Sequence, residues 1–111
     1  MEMLPDTVAK QVTNYNTTAS GNAAVITLAA ATDNYHVIDW ITWSYAGTPT
    51  SGALTIQDTT NNTTLLSIDI TAGGPGELGF AERGLVIPKG AAATITLADG
   101  SQTKKLTSQT R

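Results

Sequence analysis

Apolar side chains recur on every second position of this chain in short bursts, and Gly, Pro, Asn and Asp separate one burst from the next. A period of two marks a half-buried β-strand, and the intervening residues are those that form turns. The clearest burst is His36-Val-Ile-Asp-Trp-Ile-Thr-Trp-Ser-Tyr-Ala-Gly47, bounded by Asp33-Asn34 and by Gly47-Thr-Pro49. It holds both tryptophans and the only histidine, and it reads as the central strand. Its parity places Val37, Ile41, Trp43 and Tyr45 on the core face, interrupted by Asp39, and Ile38 and Trp40 on the opposite face beside His36, Thr42 and Ser44. One tryptophan therefore points inward and one outward. The outward one needs cover, because a Trp buries about 150 to 250 Å²; a bulge at Asp39 would shift this parity.

The remaining bursts give the rest of the sandwich. Residues 22–31 form a strand with Ile26 and Leu28 on one face and Val25 and Thr27 on the other. Residues 53–58 and 64–70 form a hairpin over Thr59-Thr-Asn-Asn-Thr63, with Leu54 and Ile56 inward on its first strand and Leu66, Ile68 and Ile70 on one face of its second. Thr71-Ala-Gly-Gly-Pro-Gly-Glu77 reads as a loop before short strands at 78–80 and 85–87. Residues 92–98 form another strand, and Asp99-Gly100 is a two-residue hairpin signal that returns the chain as 102–107. Ile26-Thr-Leu-Ala29 recurs as Ile95-Thr-Leu-Ala98, an echo weak enough in an Ala- and Thr-rich chain to arise by chance. Short strands at near-regular spacing predict an all-β fold: an antiparallel β-sandwich, jelly-roll-like, over residues 22–111. Residues 1–21 read as an extended N-terminal arm, either loose or paired with a sheet edge.

Composition narrows the function. At 111 residues the chain is long enough for one core. It has no cysteine, which removes disulfides and thiolate chemistry. The net charge is −3, and residues 11–103 carry seven acids against only Arg83 and Lys89, so no basic face for nucleic acid is expected. No apolar run reaches the roughly 18 to 20 residues of a membrane span, and the start lacks the features of an export signal, so a soluble product is expected. The sequons at Asn16, Asn61 and Asn62 are then incidental. The pair Lys104-Lys105 reads as a solvated tail, with contact to a phosphate or acidic partner as the alternative.

Catalytic chemistry finds little support. His36 has no partner at metal-ligand or triad spacing, and Asp39, three residues on, points to the other face. Asp58, Asn61 and Asn62 offer oxygens for calcium without the spacing of a calcium loop, and turn chemistry explains them. The glycine-rich stretch at 71–76 is not followed by the Lys-Ser/Thr of a phosphate loop. Glu77 and Glu82 flank a strand as solvated carboxylates. No enzyme and no cofactor or metal is expected.

Four stretches together, Asp39-Trp-Ile-Thr-Trp-Ser-Tyr-Ala-Gly47, Ala53-Leu-Thr-Ile-Gln-Asp58, Ile68-Asp-Ile-Thr-Ala-Gly-Gly-Pro-Gly76 and Leu85-Val-Ile-Pro-Lys-Gly90, resemble a group of small tailed-bacteriophage virion proteins, the capsid decoration or cement proteins. The resemblance spans about residues 22–107 and carries no catalytic residue. It implies a viral structural protein on the capsid exterior, made in the host cytoplasm, that binds the major capsid protein as a homotrimer. Ile38 and Trp40 would then be buried between subunits. The arm, through Met3, Leu4, Val8, Val12 and Tyr15, would bind the capsid. The alternative is a phage tail-fibre, baseplate or carbohydrate-binding β-sandwich module, with Trp40 stacked on a ligand.

Overall fold

The computed structural model describes residues 12–30, 33, 35–80 and 83–111, with Val12 described by its backbone alone. Nine strands follow one another: β1 (Val12–Thr18), β2 (Ala24–Leu28), β3 (His36–Tyr45), β4 (Gly52–Asp58), β5 (Thr63–Ile70), β6 (Gly74–Gly79), β7 (Leu85–Ile87), β8 (Ala93–Leu97) and β9 (Lys104–Thr110). They form two antiparallel sheets, one ordered β1-β9-β3-β6 with β7 also on β3, the other ordered β2-β8-β4-β5. The chain alternates between the sheets from β1 to β4 and crosses again after β5, β7 and β8. This is the strand order of a jelly roll, with β6 and β7 sharing one edge of β3.

Burial follows from alternation. In β2, β4 and β8, residues Ala24, Ile26, Leu28, Leu54, Ile56, Ala93, Ile95 and Leu97 are buried and face the other sheet. The repeated Ile-Thr-Leu-Ala segments lie on neighbouring antiparallel strands, and Ile26 is paired with Ile95. The hairpin of β4 and β5 forms as expected, and its turn is closed by Asp58. The Asp58 carboxylate accepts from the Asn61 backbone N–H at 3.0 Å and from the Asn61 amide Nδ2 at 2.8 Å, while Asn62 takes the left-handed conformation with φ 53°. Those bonds lower the Asp58 pKa below its ordinary value.

Four expectations are corrected. First, Ile38 is fully buried in the core and is not an outward interface residue. The ladder between β3 and β9 slips between Ile38 and Trp40, so Asp39 is the extra residue of a bulge. The slip returns Ile38 to the face of Ile41 and Tyr45 and leaves Val37 half-buried. Arg111 fixes the bulge, donating to Asp39 Oδ1 from Nε at 2.8 Å and from Nη2 at 2.7 Å.

Second, Asp99-Gly100 does not make a hairpin, because β8 and β9 belong to different sheets. Gly100 and Ser101 both adopt φ 58° and carry the chain across the end of the sandwich. A Cβ at Gly100 would stand 2.8 Å from the Tyr45 ring. Tyr45 is buried and donates its hydroxyl proton to the Ala98 carbonyl at 2.6 Å, and burial raises its pKa.

Third, the Lys104-Lys105 pair is not a solvated tail, and the strand expected over 102–107 runs over residues 104–110. They form β9, between β1 and β3, with Lys104, Leu106, Ser108 and Thr110 buried. Lys104 Nζ donates to the carbonyls of Ala19 at 3.2 Å and Asn22 at 2.5 Å and to Asp99 Oδ1 at 3.3 Å. A buried ammonium is tolerable only with such a full set of acceptors.

Fourth, the second half of the glycine-rich stretch, from Gly74 on, is not loop but the start of strand β6. Gly76 pairs with Trp43, and a Cβ at Gly76 would lie 2.4 Å from the indole, so the missing side chain is what lets Trp43 lie across the edge of the sheet and pack on the core.

The arm is extended where it is described. Its residues 12–18 are β1, paired with β9 of the same domain. Asn16 donates from Nδ2 to the Val25 carbonyl at 3.3 Å, which ties β1 to β2 and joins the two sheets along that side.

Candidate functional site

The registers of β1, β9, β3 and β6 set which side chains stand together on the outer face of the first sheet. One row across the strands is Tyr15, Thr107, Thr42 and Glu77. The row on one side of it is Thr17, Lys105, Ser44 and Pro75, and the row on the other side is Thr13, Gln109, Trp40 and Gly79. The expectation that one tryptophan faces out and one faces in therefore holds, with Trp40 outward and Trp43 inward against the core.

Two features make this face different from an ordinary solvated sheet. Tyr15 is 61% exposed, yet its ring is held, because its hydroxyl accepts from the Thr17 hydroxyl at 2.6 Å along the same strand. Trp40 is half-buried and has Gly79 as its neighbour on β6, where a Cβ would meet nothing within 4 Å. The chain thus leaves open ground beside its outward indole. Between Tyr15 and β6 lies an open groove of about 660 Å³. Its polar side chains, Thr42, Ser44, Lys105, Thr107 and Glu77, are engaged by no other side chain among the described residues. They are donors and acceptors left for something outside the chain.

The outer face of the second sheet contrasts with this one. Thr27, Thr94 and Gln57 form one row, and Val25, Thr96, Thr55 and Ser67 form the next. These rows hold no aromatic residue; the threonines suit strands and solvent alike.

Of the residues singled out from sequence, Tyr15 and Trp40 stand on the groove-bearing face. Ile38 is in the core, Val12 begins β1, and Met3, Leu4 and Val8 lie outside the described residues, as does Glu82. His36 joins no cluster. Its Nε2 is 2.5 Å from the Ala29 carbonyl, and that contact ties the start of β3 to the end of β2. Among the described residues no group of His, Asp and Glu is placed to hold a metal ion. Sequence reasoning missed Thr17 and Gly79, and it read Lys105 first as part of a solvated tail, with contact to an acidic partner as the alternative. The strict alternation of Lys104 to Thr110 was the available signal, hidden because three of its four inward residues are polar.

No protein-family model and no curated protein matches the chain. Solved structures that resemble it include one described as "Bacillus endospore appendages form a novel family of disulfide-linked pili", at 16% identity over 91% of this chain and 81% of that one, TM-score 0.43. A fucose-binding module of Streptococcus pneumoniae, SpX-3, is 10% identical over 85% of this chain and 69% of that one, TM-score 0.47. A carbohydrate-binding module, CBM36, in complex with calcium and xylotriose, is 12% identical over 92% of this chain and 98% of that one, TM-score 0.42. At these identities and scores none of the three bears on what this chain binds.

Proposed function

We propose that the chain is a non-catalytic structural module of a phage-type virion, a decoration protein that sits on the capsid exterior as a homotrimer and binds the major capsid protein. The observation that carries this reading is the outward Trp40, half-buried within its own chain and flanked by a glycine that leaves its side open. A large aromatic with free ground beside it is the kind of anchor that subunit interfaces bury. Three features agree with it: the resemblance to cement proteins over residues 22–107, a body poor in basic residues, and a fold in which residues 1–11 precede an edge strand. In this reading the arm, with Met3, Leu4 and Val8, binds the capsid, and Trp40 is buried between copies.

The test is sedimentation of the purified chain with capsids stripped of it, beside a variant lacking residues 1–11. That truncation spares β1 and hence the sheet. Binding by the full chain and its loss in the variant are expected; equal binding by both removes the arm from the interface, and binding by neither removes the capsid.

A further inference from the structure

We propose that the groove on the outer face of the β1-β9-β3-β6 sheet is a saccharide site, and that its ligand is a short sugar chain bearing a carboxylate. The lining has the required chemistry. Tyr15 presents a ring already fixed by Thr17, so little side-chain freedom is lost when a pyranose is laid on it. The hydroxyls of Thr42, Ser44 and Thr107, none of them used within the described chain, cover the floor between β9 and β3. The groove's volume of about 660 Å³ lies within the usual range for small-ligand sites.

The charges give the ligand its polarity. Among the described residues of the three rows, Lys105 is the single cation and Glu77 the single anion; Arg111, which follows β9, is paired with Asp39. Lys105 and Glu77 stand two strands and two residues apart, which is about 12 Å between backbones at ordinary sheet spacing. Among the described residues no ion pair joins them, so each charge is left to a ligand. Lys105 is the diagonal neighbour of Tyr15, near enough for one sugar ring to meet both side chains. An acidic sugar stacked on Tyr15 thus places its carboxylate at Lys105, while Glu77, at the far corner, accepts hydroxyls and repels a second acid. Among the described residues Lys104 is buried against the β1–β2 connection, so of the Lys104-Lys105 pair only Lys105 is free to meet an acidic ligand.

This inference stands apart from the capsid reading, because its readout is sugar binding rather than mass or particle binding. Titration of the full chain with a hyaluronan tetrasaccharide, sialyllactose and a galacturonic acid trimer, with cellotetraose as the neutral control, is followed by calorimetry and by amide shifts. At least one acidic probe is expected to bind with shifts at Thr42, Lys105 and Thr107, and more tightly than cellotetraose. Tyr15→Ala is expected to weaken it about tenfold and Lys105→Gln about tenfold, the scale of losing one anchoring side chain. Thr94→Ala, on the other sheet, leaves binding unchanged. Binding of none of the acidic probes overturns the proposal, as do equal binding of cellotetraose and indifference to Lys105→Gln. If Tyr15→Ala instead changes the mass in solution and no sugar binds, the groove seats a second copy and the saccharide is ruled out.

Discussion

Replacing Lys104 with Met keeps the apolar stem of a buried side chain and removes its charged head. Three acceptors are left behind, the carbonyls of Ala19 and Asn22 and the Asp99 carboxylate. A hydrogen bond from a charged donor contributes about 1.5 to 3 kcal/mol net, which puts the two carbonyls near 3 to 6 kcal/mol together. Both belong to exposed residues and regain water when the loop relaxes, and the variant no longer desolvates an ammonium, so part of that loss is offset. The Asp99 side chain is 41% exposed, which limits the ion pair itself to under about 1 kcal/mol. We therefore expect Lys104→Met to destabilise by about 2 to 4 kcal/mol, a fall in Tm of about 8 to 15 °C for a chain of this length. Urea and thermal unfolding measure it, with Asp99→Asn alone and in combination. The double-mutant cycle should give a coupling under about 1 kcal/mol, because the loop carbonyls carry most of the effect. A Tm change under about 3 °C refutes the reasoning, and a coupling as large as the whole effect refutes its division.

Three further outcomes follow from the packing and the charges. Gly76→Ala drives a Cβ to 2.4 Å from the Trp43 indole and should cost about 1 to 3 kcal/mol, with part of the loss recovered in Gly76→Ala/Trp43→Leu, as read by urea midpoints. Ser108 is fully buried and its hydroxyl has no partner among the described residues, so Ser108→Ala should be neutral or stabilise by up to about 1 kcal/mol in the same assay; a loss of more than about 1 kcal/mol contradicts the assignment. Asp58 and Asp99 both have pKa values held below the ordinary 3.8, chiefly by hydrogen bonds from Asn61 and from the Gly21 N–H respectively. Because their folded pKa values are the lower ones, their contribution is complete above the unfolded value and is lost as pH falls through it toward the folded one. The urea midpoint should thus drop between about pH 5 and pH 2, and drop less in Asp58→Asn.

The fold class was legible because β2, β4 and β8 alternate, with Ile and Leu on the inward parity and Thr on most outward positions. Alternation failed where polar residues took inward positions. β9 buries Lys104, Ser108 and Thr110, so a strand was legible over 102–107 but its polar inward residues hid that it lies inside a sheet. The parity of β3 was lost at Asp39, since a bulge turns on a long-range partner, Arg111, that lies far away along the chain. The glycines of β6 looked like a loop because the reason for them is the Trp43 indole, a contact between strands that local propensity does not contain. At the candidate site, Tyr15 and Trp40 were visible as aromatics needing a role. Thr17 meets Tyr15 along its own strand once β1 is extended, while Lys105 and Gly79 become neighbours of those rings only through the pairing of β1 with β9 and of β3 with β6.

Trp40 decides the matter most directly. Light scattering of the purified chain and of Trp40→Ser, which changes an outward side chain and leaves the core intact, measures what that residue does. A homotrimer that becomes monomeric in the variant is the predicted result and places Trp40 between subunits. The same mass for both proteins contradicts that placement, and a monomer in both contradicts the trimer as well.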